Sequence, residues 1–159
     1  MANTVPDFHI ALYQPDIPGN TGSILRLAAC LGITCEIIEP AGFSLSDRAL
    51  RRAGMDYLEL ASLNRHADWD AFEAQRKNGE QRLILLTTKV GHGYTDFDFR
   101  PRDILLFGRE SAGVPASVHN AVDTRLTIPM PGGGRSLNLA MSVAMVAGEV
   151  MRQLSVGAR

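Results

Sequence analysis

Three short segments carry the residue types that could do chemistry. The first is Asn20-Thr21-Gly22-Ser23-Ile24-Leu25-Arg26. The second is Leu106-Phe107-Gly108-Arg109-Glu110-Ser111-Ala112-Gly113-Val114-Pro115, and the third is Ile128-Pro129-Met130-Pro131-Gly132-Gly133-Gly134-Arg135-Ser136-Leu137-Asn138-Leu139-Ala140. In the first, helical spacing turns Ile24, Leu27 and Leu31 inward and leaves Arg26 off the apolar face. Arg26 is then either a solvated helix arginine or a cation held for an anionic group. In the second, Gly108 lets a ligand approach the backbone closely. Glu110 can accept a hydrogen bond or orient a positive partner, and the plain alternative is an Arg–Glu surface pair on a turn. In the third, Arg135, Ser136 and Asn138 crowd the start of a helix, whose unpaired N–H groups suit anionic and polar ligands. Ser136 also reads as the N-cap of that helix, and Asn20 as the cap of the first one.

The elements that must position these segments follow from the apolar runs. His9–Tyr13 reads as a first strand, ending in the Pro/Gly-rich turn 15–19, and Thr21–Leu31 as a helix closed by Gly32. Thr34–Glu39 is a second strand. Asp47–Ala53 is a short helix with Arg48, Arg51 and Arg52, Tyr57–Ala61 a brief strand, and Asp68–Lys77 a polar helix. Arg82–Thr88 and Asp103–Phe107 are continuous apolar runs suited to strands covered on both faces. Pro115 opens a helix to Ala121, Arg125–Ile128 is a strand, and Leu137–Leu154 is the longest helix. Ala140, Ala144 and Gly148 on that helix suit close packing, chiefly in the core, with a subunit interface as the second reading. Strands alternating with helices imply an α/β fold with a mainly parallel sheet flanked by helices, one domain over residues 1–159. All three segments then lie just past strand C-termini, where open α/β sheets bind ligands.

Several function classes lose support. No G-x-G-x-x-G opens a helix after a strand. Gly108 and Gly113 have P-loop spacing, but Val114-Pro115 stands where Lys-Ser/Thr is needed. A net charge of −1 lacks the basic excess of many nucleic-acid binders, so any RNA contact needs a local basic face. Arg48, Arg51, Arg52 and Arg65 are the residues for it. Cys30 and Cys35 read as buried, reduced thiols, and no His/Cys spacing resembles a metal site. No signal peptide or membrane-length apolar run is seen, and a cytoplasmic protein is expected.

Taken together, the segments resemble the three motifs of the SPOUT methyltransferases, the knotted RNA methyltransferases. The N-x-G-x-x-x-R element is Asn20, Gly22 and Arg26. The F-G-x-E-x-x-G element is Phe107, Gly108, Glu110 and Gly113. The I-P-M…R-S-L-N-L element is Ile128–Met130 and Arg135–Leu139. The resemblance runs from about Ile10 to Leu154. Tyr13–Pro18, Ile38-Glu39-Pro40, Leu50–Gly54 with Asp56-Tyr57, and Leu86–Lys89 liken it to the minimal branch, which methylates the ribose 2'-hydroxyl of the wobble nucleotide (cytidine or uridine 34) of leucine tRNAs.

The resemblance implies a C-terminal trefoil knot around the cofactor S-adenosylmethionine, no metal, a tRNA substrate, and a homodimer with the active site across its interface. It implies cofactor contacts at Leu86, Gly108, Ile128 and Ser136, with Thr87, Glu110, Met130, Leu137 and Asn138 close by. Arg26 is the implied catalytic residue, with Asn20, Ser136 and Asn138 positioning ribose or cofactor. Arginine side chains hold their proton at neutral pH, so Arg26 fits a role binding phosphate and the attacking oxygen better than that of a literal base. Two other readings share these residues: a sibling enzyme acting on another tRNA or rRNA nucleotide, and a non-catalytic dimer that binds RNA or S-adenosylmethionine.

Overall fold

A computed structural model of the chain describes residues 5–46, 48, 62–89 and 92–157. In chain order the described elements are β1 (His9–Tyr13), α1 (Pro18–Leu31), β2 (Thr34–Ile38), β3 (Ser62–His66) and α2 (Trp69–Asn78). Then come β4 (Leu83–Leu86), a single 3-10 turn (Tyr94–Asp96), β5 (Ile104–Phe107), α3 (Ala116–Ala121), β6 (Thr124–Leu126) and α4 (Leu139–Gly157). The strands form one parallel sheet in the order β3-β2-β1-β5-β4-β6.

Alternation along the central strands divides the core in two. Ile10, Leu12, Ile84, Leu105 and Phe107 face Ile24, Leu25 and Ala28 of α1 and Val143, Val146, Ala147 and Val150 of α4. Ala11, Tyr13, Leu83, Leu85, Ile104 and Leu106 face Phe72 of α2, Val118 of α3 and Val122. Strands so covered must be apolar throughout, which is why these runs show no polar alternation. β1 sits beside β5 and sends its chain one way across the sheet, while β4 and β6 lie on the other side. This is the switch point where such sheets bind ligands.

The chain leaving β6 is held on both sides. Thr87 N–H donates to the Leu126 carbonyl at 2.9 Å. On the outer side, Thr127 N–H donates to the His92 carbonyl at 2.8 Å, and Tyr94 N–H to the Thr127 carbonyl at 3.1 Å. The β4–β5 connection thus passes outside β6 before returning to the sheet interior.

Several expectations shift. α1 starts at Pro18, with Ile17 in the cap position and no side-chain cap bond, so Asn20 is not its cap. Proline fits a first helical turn because its missing N–H would find no partner there. α4 starts at Leu139, and Asn138 caps it: its Oδ1 accepts from Met141 N–H at 3.3 Å. Ser136 is therefore not the cap. Ser62–His66 is a strand that was not expected from the sequence. Asp47–Ala53, apart from Arg48, and Tyr57–Ala61 lie outside the described residues. Cys35 is buried as expected, but Cys30 is exposed on α1. Ala144 and Gly148 are also exposed, because the core face of α4 is its valine row.

Candidate active site

The C-terminal ends of β4, β5 and β6 open into a cavity of about 500 Å³. β4 supplies Leu86 and the residues after it, Thr87 to Lys89. β5 supplies Phe107 and then Gly108 to Glu110. Past β6 come Ile128 and Met130, and before α4 come Ser136, Leu137 and Asn138. Asn20 closes it from α1. All nine residues expected near a cofactor line this one space, although they come from three separated stretches of chain.

One hydrogen bond ties the first segment to the third: Asn138 Nδ2 donates to Asn20 Oδ1 at 3.0 Å, across 118 residues. With its Oδ1 capping α4, Asn138 uses both ends of its amide to fix the helix start against α1. Gly108 is required by contact. A Cβ there would lie 2.6 Å from the Gly113 carbonyl carbon. Gly113 itself has φ +65°, a left-handed conformation that glycine adopts freely. Together they fold 108–113 into a tight loop, closed by Arg109 N–H to Gly113 O at 3.0 Å and Gly113 N–H to Arg109 O at 2.8 Å.

Of the two roles expected for Glu110, accepting a hydrogen bond is the one seen, and the group beside it is the carboxyl of Asp16. Its Oε2 accepts from Asp16 N–H at 3.0 Å. Burial, and then the neighbouring Asp16 carboxyl, push the Glu110 carboxyl above the ordinary range. The Asp16 carboxyl goes the other way, lowered by its hydrogen bond with Glu110 and then by Ser111, with Arg109 adding to this. Arg109 Nε lies 3.7 Å from Asp16 Oδ2.

Arg26 is exposed on α1 and does not line the cavity of its own chain. Of the basic residues expected to meet RNA, Arg65 is paired with Glu39 at 2.9 Å, Arg48 is exposed, and Arg51 and Arg52 lie outside the described residues. Sequence reasoning missed Ile17, Lys89, Arg109 and His119 as lining residues. Lys89 follows a strand end and Arg109 adjoins the glycine turn, so those two had a positional signal. His119, mid-helix, had none.

Residues 7–148 match the SpoU rRNA methylase family. The chain belongs to that family. Among its relatives is a tRNA (cytidine(34)-2'-O)-methyltransferase of Beijerinckia indica, 57% identical over 150 residues and covering 94% of each chain. One of the same name from Escherichia coli K12 is 44% identical over 149 residues, 92% of this chain and 93% of that one. A solved structure described as giving insights into 2-OH methylation of C/U34 on tRNA superposes with a TM-score of 0.90 at 40% identity. It covers 96% of this chain and 99% of the other. The SpoU methyltransferase AviRb of Streptomyces viridochromogenes, solved with AdoMet, gives a TM-score of 0.80 at 29% identity, covering 95% of this chain and 62% of that one. The parallel α/β architecture is the SpoU fold, and family membership implies its knot.

Proposed function

We propose that the chain is an S-adenosylmethionine-dependent tRNA methyltransferase. Its target is the 2'-hydroxyl of the wobble nucleotide, cytidine or uridine 34, of leucine tRNAs. The observation that carries this is the convergence of all three motif segments on one cavity at the switch point, fastened by the Asn20–Asn138 bond. The names of the relatives support the tRNA position, and the AdoMet-bound family member supports the cofactor.

The cavity suits such a cofactor. Its volume falls in the range of small-molecule sites, roughly 300–1,000 Å³. Leu86, Ile128 and Leu137 offer an apolar wall for a flat base, and the missing side chain of Gly108 lets the 108–113 loop fold tightly at the cavity edge. Leu86, Thr87, Gly108, Glu110, Ile128, Met130, Ser136, Leu137 and Asn138 would hold it. When bound, the cofactor supplies the electrophilic methyl group, and the protein supplies orientation and electrostatics.

Asn20 and Asn138 hold α1 against the start of α4, so residues serving the ribose and residues serving the cofactor keep one spacing. Arg26 binds the adjoining phosphate and the attacking oxygen without taking its proton, which passes to phosphate or water. Because Arg26 lies outside its own cavity, a second copy of the chain has to complete the site. The face for it is on α4, where Met141 and Met145 are 66% and 45% exposed beside exposed Ala144 and Gly148. Such an apolar row on a helix is what a homodimer covers. No helix among the described residues is long and apolar enough to cross a membrane, and the proposed place of work is the cytoplasm.

The test is labelled S-adenosylmethionine with total tRNA, followed by mapping of the methylated nucleotide. Label at the wobble ribose of leucine tRNAs is expected. Label at another nucleotide would point to a sibling specificity, and no transfer to any RNA would refute the enzymatic reading.

A further inference from the structure

Asp16 is absent from the three motifs, yet it meets the second of them directly. It lies in the β1–α1 connection, four residues before Asn20 and ten before Arg26. Its backbone N–H donates to Glu110 Oε2 at 3.0 Å, and its carboxylate Oδ2 accepts from the Ser111 hydroxyl. Two buried oxygens are left over, Asp16 Oδ1 and Glu110 Oε1, and neither has a donor. Buried acceptors without partners are rare and costly. The buried Arg109 Nε is also without a partner, but at 3.7 Å from Asp16 Oδ2 it is beyond hydrogen-bond reach. The two carboxyl groups pair side chain to side chain, so a single proton between them satisfies both. The surroundings hold the pair in place. Arg109 sets its guanidinium 3.7 Å from Asp16 Oδ2 while reaching Gln14 Oε1 at 3.4 Å. Gly42 N–H donates to the Pro15 carbonyl at 2.8 Å, and a Cβ on Gly42 would lie 2.8 Å from the Asp16 Cβ. Lys89 lines the same cavity as Glu110.

We infer that Asp16 is a positioning residue: by sharing one proton with Glu110 it braces the β1–α1 connection, which carries Asn20 and Arg26, against the Gly108–Gly113 wall of the cofactor cavity. This rests on the reading of the cavity as a cofactor site. With the proton present, the pair carries one negative charge, matched by Arg109. When the proton leaves to solvent, two carboxylates face each other and push the two segments apart. Glu110 is raised by burial and then by Asp16, so the brace is present at mildly acid pH and is lost as pH rises above the ordinary glutamate value of 4.5 and through the raised one. Asp16 acts through Glu110 and so affects cofactor affinity more than the reacting atoms.

The experiment is calorimetric titration of S-adenosylhomocysteine from pH 4 to pH 9 on the wild type, Asp16→Asn, Glu110→Gln and Asp16→Ala. Hydrogen exchange of the Arg109 and Gly113 amides is followed in parallel without ligand. Wild-type affinity is expected to fall with rising pH in a one-proton step, with the two amides losing protection across the same step. Either amide variant replaces the shared proton with a permanent N–H donor, so the step should vanish in both readouts. Asp16→Ala should bind about tenfold more weakly than the wild type below the step, the loss expected for one charged hydrogen bond, and should show no step of its own. Titration of the ligand itself is common to all four proteins. The same step in Asp16→Asn as in the wild type, or wild-type affinity in Asp16→Ala below the step, would overturn the inference. If the wild type binds no S-adenosylhomocysteine at all, the cofactor reading fails instead, and the amide-exchange arm still decides the brace.

Discussion

Gly108→Ala is expected to be the most damaging glycine substitution around the cavity, and its size follows from the contacts. The new Cβ would lie 2.6 Å from the Gly113 carbonyl carbon, 2.7 Å from its Cα and 3.0 Å from its oxygen. All three are backbone atoms, so no side chain can swing away. Relief means opening the loop closed by Arg109 N–H to Gly113 O and Gly113 N–H to Arg109 O. Two backbone hydrogen bonds at about 1 kcal/mol each, plus about 1 kcal/mol of residual overpacking, come to about 3 kcal/mol. For a domain of this size that lowers Tm by about 6–12 °C. Two controls isolate the cause. Gly113→Ala has nothing within 4 Å but φ +65°, so it pays only the left-handed penalty of about 1–2 kcal/mol. Gly132→Ala meets nothing within 4 Å and has no positive φ, so it should stay within about 0.5 kcal/mol of the wild type. Thermal unfolding at one protein concentration reads the order, and S-adenosylhomocysteine titration reads the cavity. If Gly108→Ala melts within about 2 °C of Gly132→Ala, the close approach does not exist as described.

Arg26→Lys should reduce methyl transfer to tRNA by at least about 100-fold while leaving S-adenosylhomocysteine affinity within about twofold, and weak ligand binding would refute the phosphate role. Met141→Asp places a charge on the exposed α4 row; in sedimentation velocity the wild type is expected as a dimer and this variant as a monomer, and a monomeric wild type would refute the proposed interface. Glu36 is buried and accepts from His9 Nδ1 at 2.9 Å, His66 Nε2 at 2.6 Å and Asn64 Nδ2 at 3.2 Å. Burial works upward on its carboxyl, but these bonds outweigh it and the net shift is downward. Its contribution is thus present above its ordinary value and lost as pH falls through the lowered one. Tm of the wild type should drop below about pH 4.5 more steeply than that of Glu36→Gln, and parallel curves would refute the cluster's role. Asp103→Asn leaves Arg82, bonded at 2.9 and 2.6 Å, without its carboxylate, and should cost about 2–3 kcal/mol in urea unfolding. A loss below about 0.5 kcal/mol would mean solvent replaces the pair.

The elements legible in the sequence were those fixed by local patterns. His9–Tyr13 and Ile104–Phe107 are apolar runs bounded by turn residues, and both are strands within a residue of the expectation. Capping was misread where tertiary partners intervened. Asn20 has the residue type of a cap, but its side chain is used by Asn138, and proline starts α1 instead. Ser136 lost the cap to Asn138 for the same reason: the residue that faces α1 is the one held still enough to cap. The cavity was legible as three strand ends, since a parallel sheet brings all its C-terminal ends to one edge. Asp16 was not, because its significance lies wholly in contact with Glu110, 94 residues away.

Net charge misled for a physical reason. A total of −1 counts every arginine equally, but many are consumed internally. Arg76 is neutralised by Glu73 and Asp123, Arg82 by Asp103, Arg152 by Glu149 and Arg65 by Glu39. Their fields largely cancel over a few ångströms, so these groups add little to what an approaching polyanion meets. Among the described residues, Lys89 and Arg135 have no acidic partner and are exposed. Lys89 lines the cavity, and Arg135 adjoins Ser136 on its rim. Two unpaired cations thus stand at the rim of the cavity even though the chain as a whole is slightly acidic. In the proposed dimer that rim would be presented twice, so the proposed RNA contact needs only a few unpaired cations placed beside the site and no basic excess over the whole chain.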